Sequence, residues 1–254
     1  VFDTVDLHYL REEREAALAD REDLRRQAAS TKLAELRLIR QSDVTLVVSP
    51  IEQELLQREV PGSRIEVLSN VHEVVGLRAS FDQRKDLFFV GGFQHQPNVD
   101  AMLWFVHAIW PLVAKALPEA RFHIVGSRMP DAIKALAGDR VIVHGFLPSL
   151  DEMLDGCRLS VAPLRYGAGV KGKVNQSMAH GQPVVATTVA AEGMYLKHEV
   201  DVLVADDAEA FAREIIRLYT DEALWTRLAD GALANIATHF SFAAATQALR
   251  RVLG

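Results

Sequence analysis

From residue 87 onward, short apolar runs alternate with stretches in which apolar positions recur at helical spacing. This pattern is typical of an open parallel α/β sheet with right-handed crossovers between its strands. The predicted strands are Leu87–Val90, Arg121–Val125, Val141–Val143, Leu159–Ala162, Pro183–Ala186 and Val202–Val204. The predicted helices are Val99–Ala116, Asp131–Ala137, Leu150–Asp155, Val170–His180 and Ala208–Tyr219. In the usual doubly wound order, 3-2-1-4-5-6, the first and fourth of these strands lie side by side.

The first 86 residues have a less regular pattern. Residues 1–6 are typical of the end of a buried strand and lack an initiator methionine, so we expect a fragment or a processed chain. Residues 8–41 carry near-balanced charge at helical spacing, which predicts a solvated, ion-paired helix face. Leu33, Leu36 and Ile39 form a narrow apolar stripe that should pack on the domain. The remaining elements predicted here are strands Val44–Ser49 and Ile65–Ser69, helix Ile51–Arg58 and an interdomain linker at residues 70–86.

The stretch from Pro163 to Thr187 changes from a glycine-rich loop to a helix and then to a strand. Gly167 and Gly169 let the backbone turn sharply and approach a ligand, and the helix begins near Lys171 and Lys173. Because a helix N-terminus offers unpaired N–H groups and a partial positive charge, this stretch predicts a cradle for a phosphate or diphosphate. The alternative is a plain strand-to-helix turn with solvent-facing lysines.

Two glycine-rich loops lie where the predicted winding of the sheet reverses. Gly91-Gly92-Phe93 follows the first strand of the sheet, and residues 165–169 follow the fourth. Ligands of such sheets bind outside the carboxyl ends of the strands at this switch point, which favours the anion cradle. Since Gly91-Gly92 lacks the spacing of a dinucleotide fingerprint, a nicotinamide-dependent oxidoreductase is disfavoured.

Composition narrows the class of protein. The chain has 254 residues, of which 49% are hydrophobic and 24% charged, enough for one large or two modest domains. A net charge of −6 argues against a nucleic-acid binder. Cys157 is the only cysteine, and the nine histidines lack metal-ligand spacing, so we predict neither a disulfide framework nor a metal site. No apolar run approaches the ~20 residues of a membrane span and no signal peptide is evident, so we expect a cytoplasmic protein.

Eight short motifs along the chain are more informative as a set than singly. They are Phe89-Val-Gly-Gly-Phe93, Gln96-Pro-Asn-Val-Asp100, His123-Ile-Val-Gly-Ser127, Val143-His-Gly-Phe146, Val161-Ala-Pro-Leu164, Gly167-Ala-Gly-Val-Lys-Gly-Lys173, Met178-Ala-His-Gly-Gln-Pro-Val-Val-Ala186 and Ala191-Glu-Gly193. The series resembles the carboxyl-terminal domain of the group 1 (family 4) retaining glycosyltransferases of GT-B fold. Residues 31–70 are similar to the end of that family's amino-terminal domain. The resemblance divides the chain into an incomplete acceptor-side α/β domain, residues 1–78, and a Rossmann-like donor-binding domain, residues 79–254.

The resemblance implies transfer of a sugar from a UDP-, GDP- or dTDP-sugar to a carbohydrate or lipid-linked acceptor. Transfer would proceed with retention and without a metal or other cofactor. Bacterial surface polysaccharide synthesis is the family's common context, and the acceptor would bring peripheral membrane association. A nucleotide-sugar epimerase of the same fold and a non-catalytic nucleotide-binding module remain as alternatives.

The resemblance also implies roles for individual residues. Lys173 matches the phosphate-side lysine and Lys171 is a second diphosphate candidate, while Gln176 would hydrogen-bond a ribose hydroxyl. Two glutamates usual in the family are replaced here, the first by Ala168 and the second by Gln176, which puts carboxylate contact with the donor sugar in doubt. Further donor-site candidates are the backbones of Gly91, Gly92, Ser127, Gly145, Phe146, Gly167, Gly169, Glu192 and Gly193. Asp6 and His8 match cleft-lining positions and are the catalytic candidates.

Overall fold

The computed structural model describes residues 1–253 and contains two parallel sheets in that range. The smaller sheet has the order β1-β2-β3 and the larger one the order β6-β5-β4-β7-β8-β9. The strands are β1 (Phe2–Asp3), β2 (Thr45–Val47), β3 (Ile65–Val67), β4 (Lys85–Val90), β5 (Phe122–Val125), β6 (Val141–Gly145), β7 (Cys157–Ala162), β8 (Val184–Ala186) and β9 (Leu203–Val204). The helices are α1 (His8–Ala19), α2 (Glu22–Gln41), α3 (Pro50–Glu59), α4 (Gln96–Trp104), α5 (Trp110–Ala116), α6 (Asp131–Lys134), α7 (Asp151–Gly156), α8 (Gly172–Ala179), α9 (Thr188–Ala191), α10 (Ala208–Thr220), α11 (Glu222–Asn235) and α12 (Phe242–Leu253).

The larger sheet confirms the predicted doubly wound order. Its six strands are the six predicted ones, each within a few residues of the predicted bounds, and every neighbouring pair is parallel. Strands β4 and β7 lie side by side, in register from Lys85 with Cys157 to Phe88 with Ser160. The carboxyl ends of β4 and β7 therefore meet at the switch point, where the glycine-rich loops follow.

Helices pack on both faces of this sheet. On one face an aromatic cluster joins Phe105, Trp110 and Phe122 to the buried side chains of β4, β7 and β8. The segment Gln96–Ala116 is one helical run, α4 and α5 joined by a single π-helical turn. The run has 21 residues and contains an 18-residue window with a mean hydropathy of 1.3, so it meets the length and apolarity of a membrane span, contrary to the sequence expectation. Its inner face is nevertheless part of the sheet's core.

The charged stretch after residue 8 folds as a helical hairpin rather than one helix. Asp20 ends α1 in the left-handed region at φ 49°, and α2 begins two residues later. Leu36 and Ile39 are buried as predicted, but Leu33 is 74% exposed, so its assignment to the apolar stripe was wrong. The predicted solvated face was also wrong in part, because Arg14 on α1 reaches across to the larger sheet's loops.

The segment between the two sheets has no strand or α-helix among its described residues, only a 3₁₀ turn at Phe81–Gln83. Its end is held by Arg84, which is fully buried and donates hydrogen bonds to four backbone carbonyls. Burial lowers the pKa of this guanidinium, and no carboxylate pairs with it at short range in the described chain. Arg84 thus uses backbone acceptors to fix the linker against the larger sheet.

The last two helices, which the sequence pattern did not predict, lie outside the alternating strand and helix pattern. Helix α11 packs against α10 and α8, and α12 returns to the smaller sheet. There Val252 is buried with Val44 and Leu46, and Arg64 donates to the carbonyls of Arg251 and Val252. The end of the chain therefore joins the two sheets.

Candidate functional site

A cleft of about 530 Å³ opens at the carboxyl ends of β4, β5 and β7 and is bordered by the segment before α1. It lies at the switch point of the larger sheet, the position where such sheets bind their ligands. Its walls are formed by Asp6, Arg11, Val90, Gly91, Gly92, His95, Pro97, Asn98, Val125, Gly126, Ser127, Phe146, Leu147, Leu150, Leu164, Tyr166, Gly167, Ala168, Val170, Lys171, Gly172, Lys173 and Gln176.

The glycine loop of residues 167–169 forms one wall of the cleft. Gly167 and Gly169 have φ values of 153° and 68°, which side chains of L residues rarely allow. The three consecutive carbonyl oxygens of the loop each accept a hydrogen bond from a cation. Arg14 Nη1 donates to Gly167 O at 2.6 Å, and Lys171 Nζ donates to Ala168 O at 2.9 Å and Gly169 O at 2.6 Å. The loop is therefore fixed from within by Lys171 and from α1 by Arg14.

Lys173 lies in the first turn of α8 and faces the cleft. Its Nζ donates to Asn98 Oδ1 and lies 4.3 Å from the centroid of the Phe89 ring. No carboxylate of the described chain pairs with it. Removal from bulk water, together with the charge of Lys171, lowers the pKa of the Lys173 amine to about 7. A lysine in this environment is stabilised in its charged form by a bound anion.

Lys171 is the second cation of the cradle. It is buried, and burial lowers the pKa of its amine to about 8, while Glu192 is the strongest of the carboxylates that oppose this shift. Since two of its N–H groups already bind loop carbonyls, its main contribution is positive charge behind the loop. Helix α8 also has no side-chain cap at its N-terminus, so its first N–H groups are left for a ligand.

The opposite wall is built by a close approach of β4 and β5. A Cβ on Gly126 would lie 1.8 Å from Gly91 O, so only glycine fits at this position. Asn98 Nδ2 donates to Gly92 O at 2.8 Å while its Oδ1 receives Lys173. Asn98 thus joins the loop after β4 to the lysine of α8.

A third wall is the segment before α1. Buried Glu35 accepts the backbone N–H groups of His8 and Tyr9, at 3.1 and 3.0 Å, and so caps the N-terminus of α1. Buried Glu52 accepts the N–H of Leu7, and its pKa is raised by burial. These two carboxylates hold Asp6 in place at the cleft.

Asp6 is the only carboxylate among the cleft-lining residues. Its Oδ2 accepts from Arg11 Nη1 at 2.5 Å, and its Oδ1 lies 3.5 Å from His8 Nε2. Its Cβ would be 2.9 Å from a Cβ on Gly169, so the absence of a side chain at Gly169 lets the two walls meet. The segment before α1 therefore rests directly on the glycine loop.

The structure brings nine of the fourteen sequence-predicted site residues into the wall of one cleft. They are Asp6, Gly91, Gly92, Ser127, Phe146, Gly167, Lys171, Lys173 and Gln176. The other five lie elsewhere. His8 binds Glu35 at 3.0 Å, Gly145 lines a shallow hollow beside Arg128, and Gly169 packs beneath Asp6. Glu192 and Gly193 line a separate apolar groove, and Glu192 binds Arg14 through both carboxylate oxygens at 2.7 and 2.9 Å.

Sequence reasoning did not single out Asn98, Arg11, Arg14 or Tyr166. Asn98 lies within the quoted Gln96-Pro-Asn-Val-Asp100 motif, so a signal was present, but the role of its side chain depends on α8. The two arginines were hidden in a charge-balanced helix. Their contacts, Arg11 with Asp6 and Arg14 with Glu192, follow only from the tertiary arrangement.

The sheet order and a cationic, glycine-lined cleft at its switch point define a doubly wound α/β protein whose cleft is suited to an anionic ligand. Comparison with known sequences makes the class specific. The chain belongs to the family described as glycosyl transferases group 1, whose sequence model matches residues 84–221. A relative described as an uncharacterized 44.6 kDa protein in the cps region of Klebsiella pneumoniae is 27% identical in an alignment 140 residues long that covers 52% of this chain and 36% of that protein.

Solved structures of GT-B glycosyltransferases have the same fold. Staphylococcus aureus TarM, in complex with fondaparinux, alpha-GlcNAc-glycerol and UDP, matches 88% of this chain and 46% of its own, with a TM-score of 0.75 and 17% identity. Sucrose-phosphate synthase from Thermosynechococcus elongatus matches 88% of this chain and 61% of its own, with a TM-score of 0.72 and 20% identity. Anabaena HepE in complex with UDP and glucose matches 87% and 66%, with a TM-score of 0.67 and 17% identity. The chain thus spans about a third to two thirds of the length of these relatives.

Proposed function

We propose that this chain binds the donor of a glycosyltransferase that moves a sugar from a nucleoside diphosphate to a carbohydrate or lipid-linked acceptor. The observation that carries the proposal is the pair of lysines at the glycine loop, both with depressed pKa values and neither paired with a carboxylate at short range in the described chain. A diphosphate supplies the missing negative charge. The UDP in the TarM and HepE complexes supports UDP as the first nucleotide to test, and the relative from the cps region supports a role in polysaccharide synthesis.

The proposed chemistry depends on where negative charge develops during the reaction. Cleavage of the bond between sugar and diphosphate leaves negative charge on the departing oxygen, and cations already in place stabilise it without reorganisation. Lys173 and the uncapped N-terminus of α8 are those groups here. Asp6 is the carboxylate available on the acceptor side, where it can accept a proton from or orient an acceptor hydroxyl. Retention and independence from a metal are part of the proposal.

Loss of a side-chain carboxylate at Ala168 and Gln176 keeps a second candidate open, a nucleotide-binding module without transferase activity. We propose that the 254-residue chain binds donor nucleotide but transfers sugar poorly alone, because positioning two substrates supplies up to ~7–11 kcal/mol of barrier reduction. Product formation from radiolabelled UDP-sugar onto a carbohydrate or lipid-linked acceptor tests this. Robust turnover by the chain alone contradicts the poor-transfer proposal and excludes the non-catalytic alternative.

The binding proposal is tested by Lys173→Ala. Losing one charge-assisted hydrogen bond should cost about 1.5–3 kcal/mol, or ten- to a hundredfold in affinity for a nucleoside diphosphate. The unphosphorylated nucleoside should lose little. Calorimetry with UDP, GDP and dTDP and their nucleosides measures both effects. Lys115→Ala is the matched control, because Lys115 is exposed on α5 and does not line the cleft. Equal diphosphate affinity in wild type and Lys173→Ala would place the phosphates elsewhere.

A further inference from the structure

Arg14 makes contacts that no sequence motif predicted. It lies on α1, on the acceptor side of the cleft, and its guanidinium binds two loops of the larger sheet at once. One is the glycine loop, through Gly167 O at 2.6 Å. The other is the turn after α9, through both carboxylate oxygens of Glu192 at 2.7 and 2.9 Å. Arg14 itself does not line the cleft.

The contact with Gly167 matters because of the conformation of the loop. Gly167 and Gly169 both have positive φ values, so the loop backbone has conformational freedom that only glycines possess. Ordering such a backbone costs conformational entropy, which the holding contacts must offset. Lys171 holds the carbonyls of residues 168 and 169, and the carbonyl of Gly167 is held by Arg14 alone among the described side chains.

Glu192 gives Arg14 its orientation. A guanidinium that binds a carboxylate through two parallel N–H groups is fixed in one plane, and the remaining N–H directions are fixed with it. Nη1 of Arg14 is shared between Glu192 and Gly167, so the ion pair aims the bond to the loop. Both side chains of the pair are about one-quarter exposed, so the pair is shielded in part from water.

We propose that Arg14 is a positioning residue, which holds the glycine loop in the shape that binds a diphosphate and so couples α1 to the donor cradle. The proposal rests on the proposed function for its ligand. It assigns to Glu192 a role through its carboxylate, as the partner that orients Arg14, in place of the backbone contact with phosphates that the sequence suggested. The donor cradle is then complete only when α1 is docked on it.

The test compares Arg14→Gln with Glu192→Gln. Arg14→Gln removes the bond to Gly167 O and should lower nucleoside diphosphate affinity about tenfold while the nucleoside is unaffected. In Glu192→Gln, Arg14 can still bind Gly167 O and can still donate one hydrogen bond to the side-chain oxygen of residue 192. The affinity of this variant for a nucleoside diphosphate should therefore fall only about twofold. If the ion pair matters only for stability, neither variant should change the affinity of the folded protein; that result, or an equal loss in both variants, overturns the proposal. Arg25→Gln is the control, because Arg25 forms its ion pairs on the exposed end of the helical hairpin.

A second measurement needs no ligand. Hydrogen–deuterium exchange of a peptide covering residues 163–173 should be about tenfold faster in Arg14→Gln than in wild type and unchanged in Arg25→Gln. Unchanged exchange in Arg14→Gln overturns the positioning role even if the cleft binds something other than a nucleotide. Failure of wild type to bind any nucleoside diphosphate refutes the proposed function instead, and the exchange result still decides whether Arg14 orders the loop. Thermal unfolding of each variant shows that the comparison is made between folded proteins.

Discussion

The binding of a sugar nucleotide should weaken steeply as the pH rises through neutrality. Lys173 has a pKa of about 7 in the free protein, because its amine is removed from water and Lys171 adds a like charge. A diphosphate beside the amine favours the charged form and returns the pKa toward the ordinary value of about 10.4. Binding above neutral pH therefore takes up a proton, and the affinity falls as that proton becomes scarce.

The magnitude follows from the pKa of the free amine. For one lysine that is charged in the complex and has a free pKa of about 7, the dissociation constant increases in proportion to 1 + 10^(pH − pKa). Between about pH 6.5 and about pH 8.5 this gives roughly 25-fold weaker binding, or about 1.9 kcal/mol. Lys171, with a pKa of about 8, adds a further factor of about four if its charge is also restored by the ligand.

The assay is calorimetry with UDP-glucose, whose two phosphates are both esterified and do not titrate in this range. Titrations in two buffers of different ionisation enthalpy count the protons taken up, and about half a proton or more per ligand is expected near pH 7 and above. Lys173→Met should remove most of the pH dependence, and Lys115→Met, at an exposed lysine of α5, should retain it. Equal affinity across the pH range, with heats that do not depend on the buffer, would refute the assignment of Lys173 to the diphosphate.

Three further outcomes follow from contacts in and near the cleft. Gly126→Ala should destabilise the protein by about 3 kcal/mol, because the new Cβ lies 1.8 Å from Gly91 O, and chemical denaturation measures the loss. Arg84→Lys should cost about 3–5 kcal/mol of unfolding free energy, since one amine cannot satisfy the four buried carbonyls that the guanidinium binds; a midpoint shift no larger than that of Arg25→Lys contradicts this. Gln176→Ala should weaken nucleoside and nucleoside diphosphate alike by about fivefold in calorimetry, and a loss confined to the diphosphate would exclude the ribose contact.

The larger sheet could be predicted from the sequence because each of its strands is recognisable from neighbouring residues alone. Each strand is a short apolar run between turn residues, and parallel strands buried on both faces lack the polar alternation that would confuse the pattern. The handedness of the crossovers and the usual strand order then fix where the carboxyl ends meet. The glycine loop and Lys173 could be found for the same reason, since one strand, one loop and one helix place them.

The rest of the site depends on contacts between distant segments. Arg14 and Arg25 look alike in the sequence, since each is a cation among acids on a helix. Arg14 binds the distant Glu192, whereas Arg25 lies at the exposed end of the hairpin. Leu33 satisfies the same helical spacing as Leu36 and Ile39 but faces away from the smaller sheet. Periodicity identifies the apolar face of a helix. How much of that face is buried depends on the element that packs against it.

The charges in the cleft limit the kind of ligand that it can hold. Asp6 is neutralised by Arg11, which leaves Lys171 and Lys173 as two cations without short-range carboxylate partners in the described chain. Holding two amines in this state costs folding free energy, since burial depresses both pKa values and favours the neutral amines. A diphosphate diester, with two negative charges at the spacing of neighbouring phosphates, restores both amines to their charged form. A neutral sugar offers no negative charge to either amine. Under the proposed function, selectivity for a diphosphate comes from the two lysines at the switch point. Arg14, which binds the glycine loop, and Asn98, which binds Lys173, hold those groups where the proposed ligand would meet them.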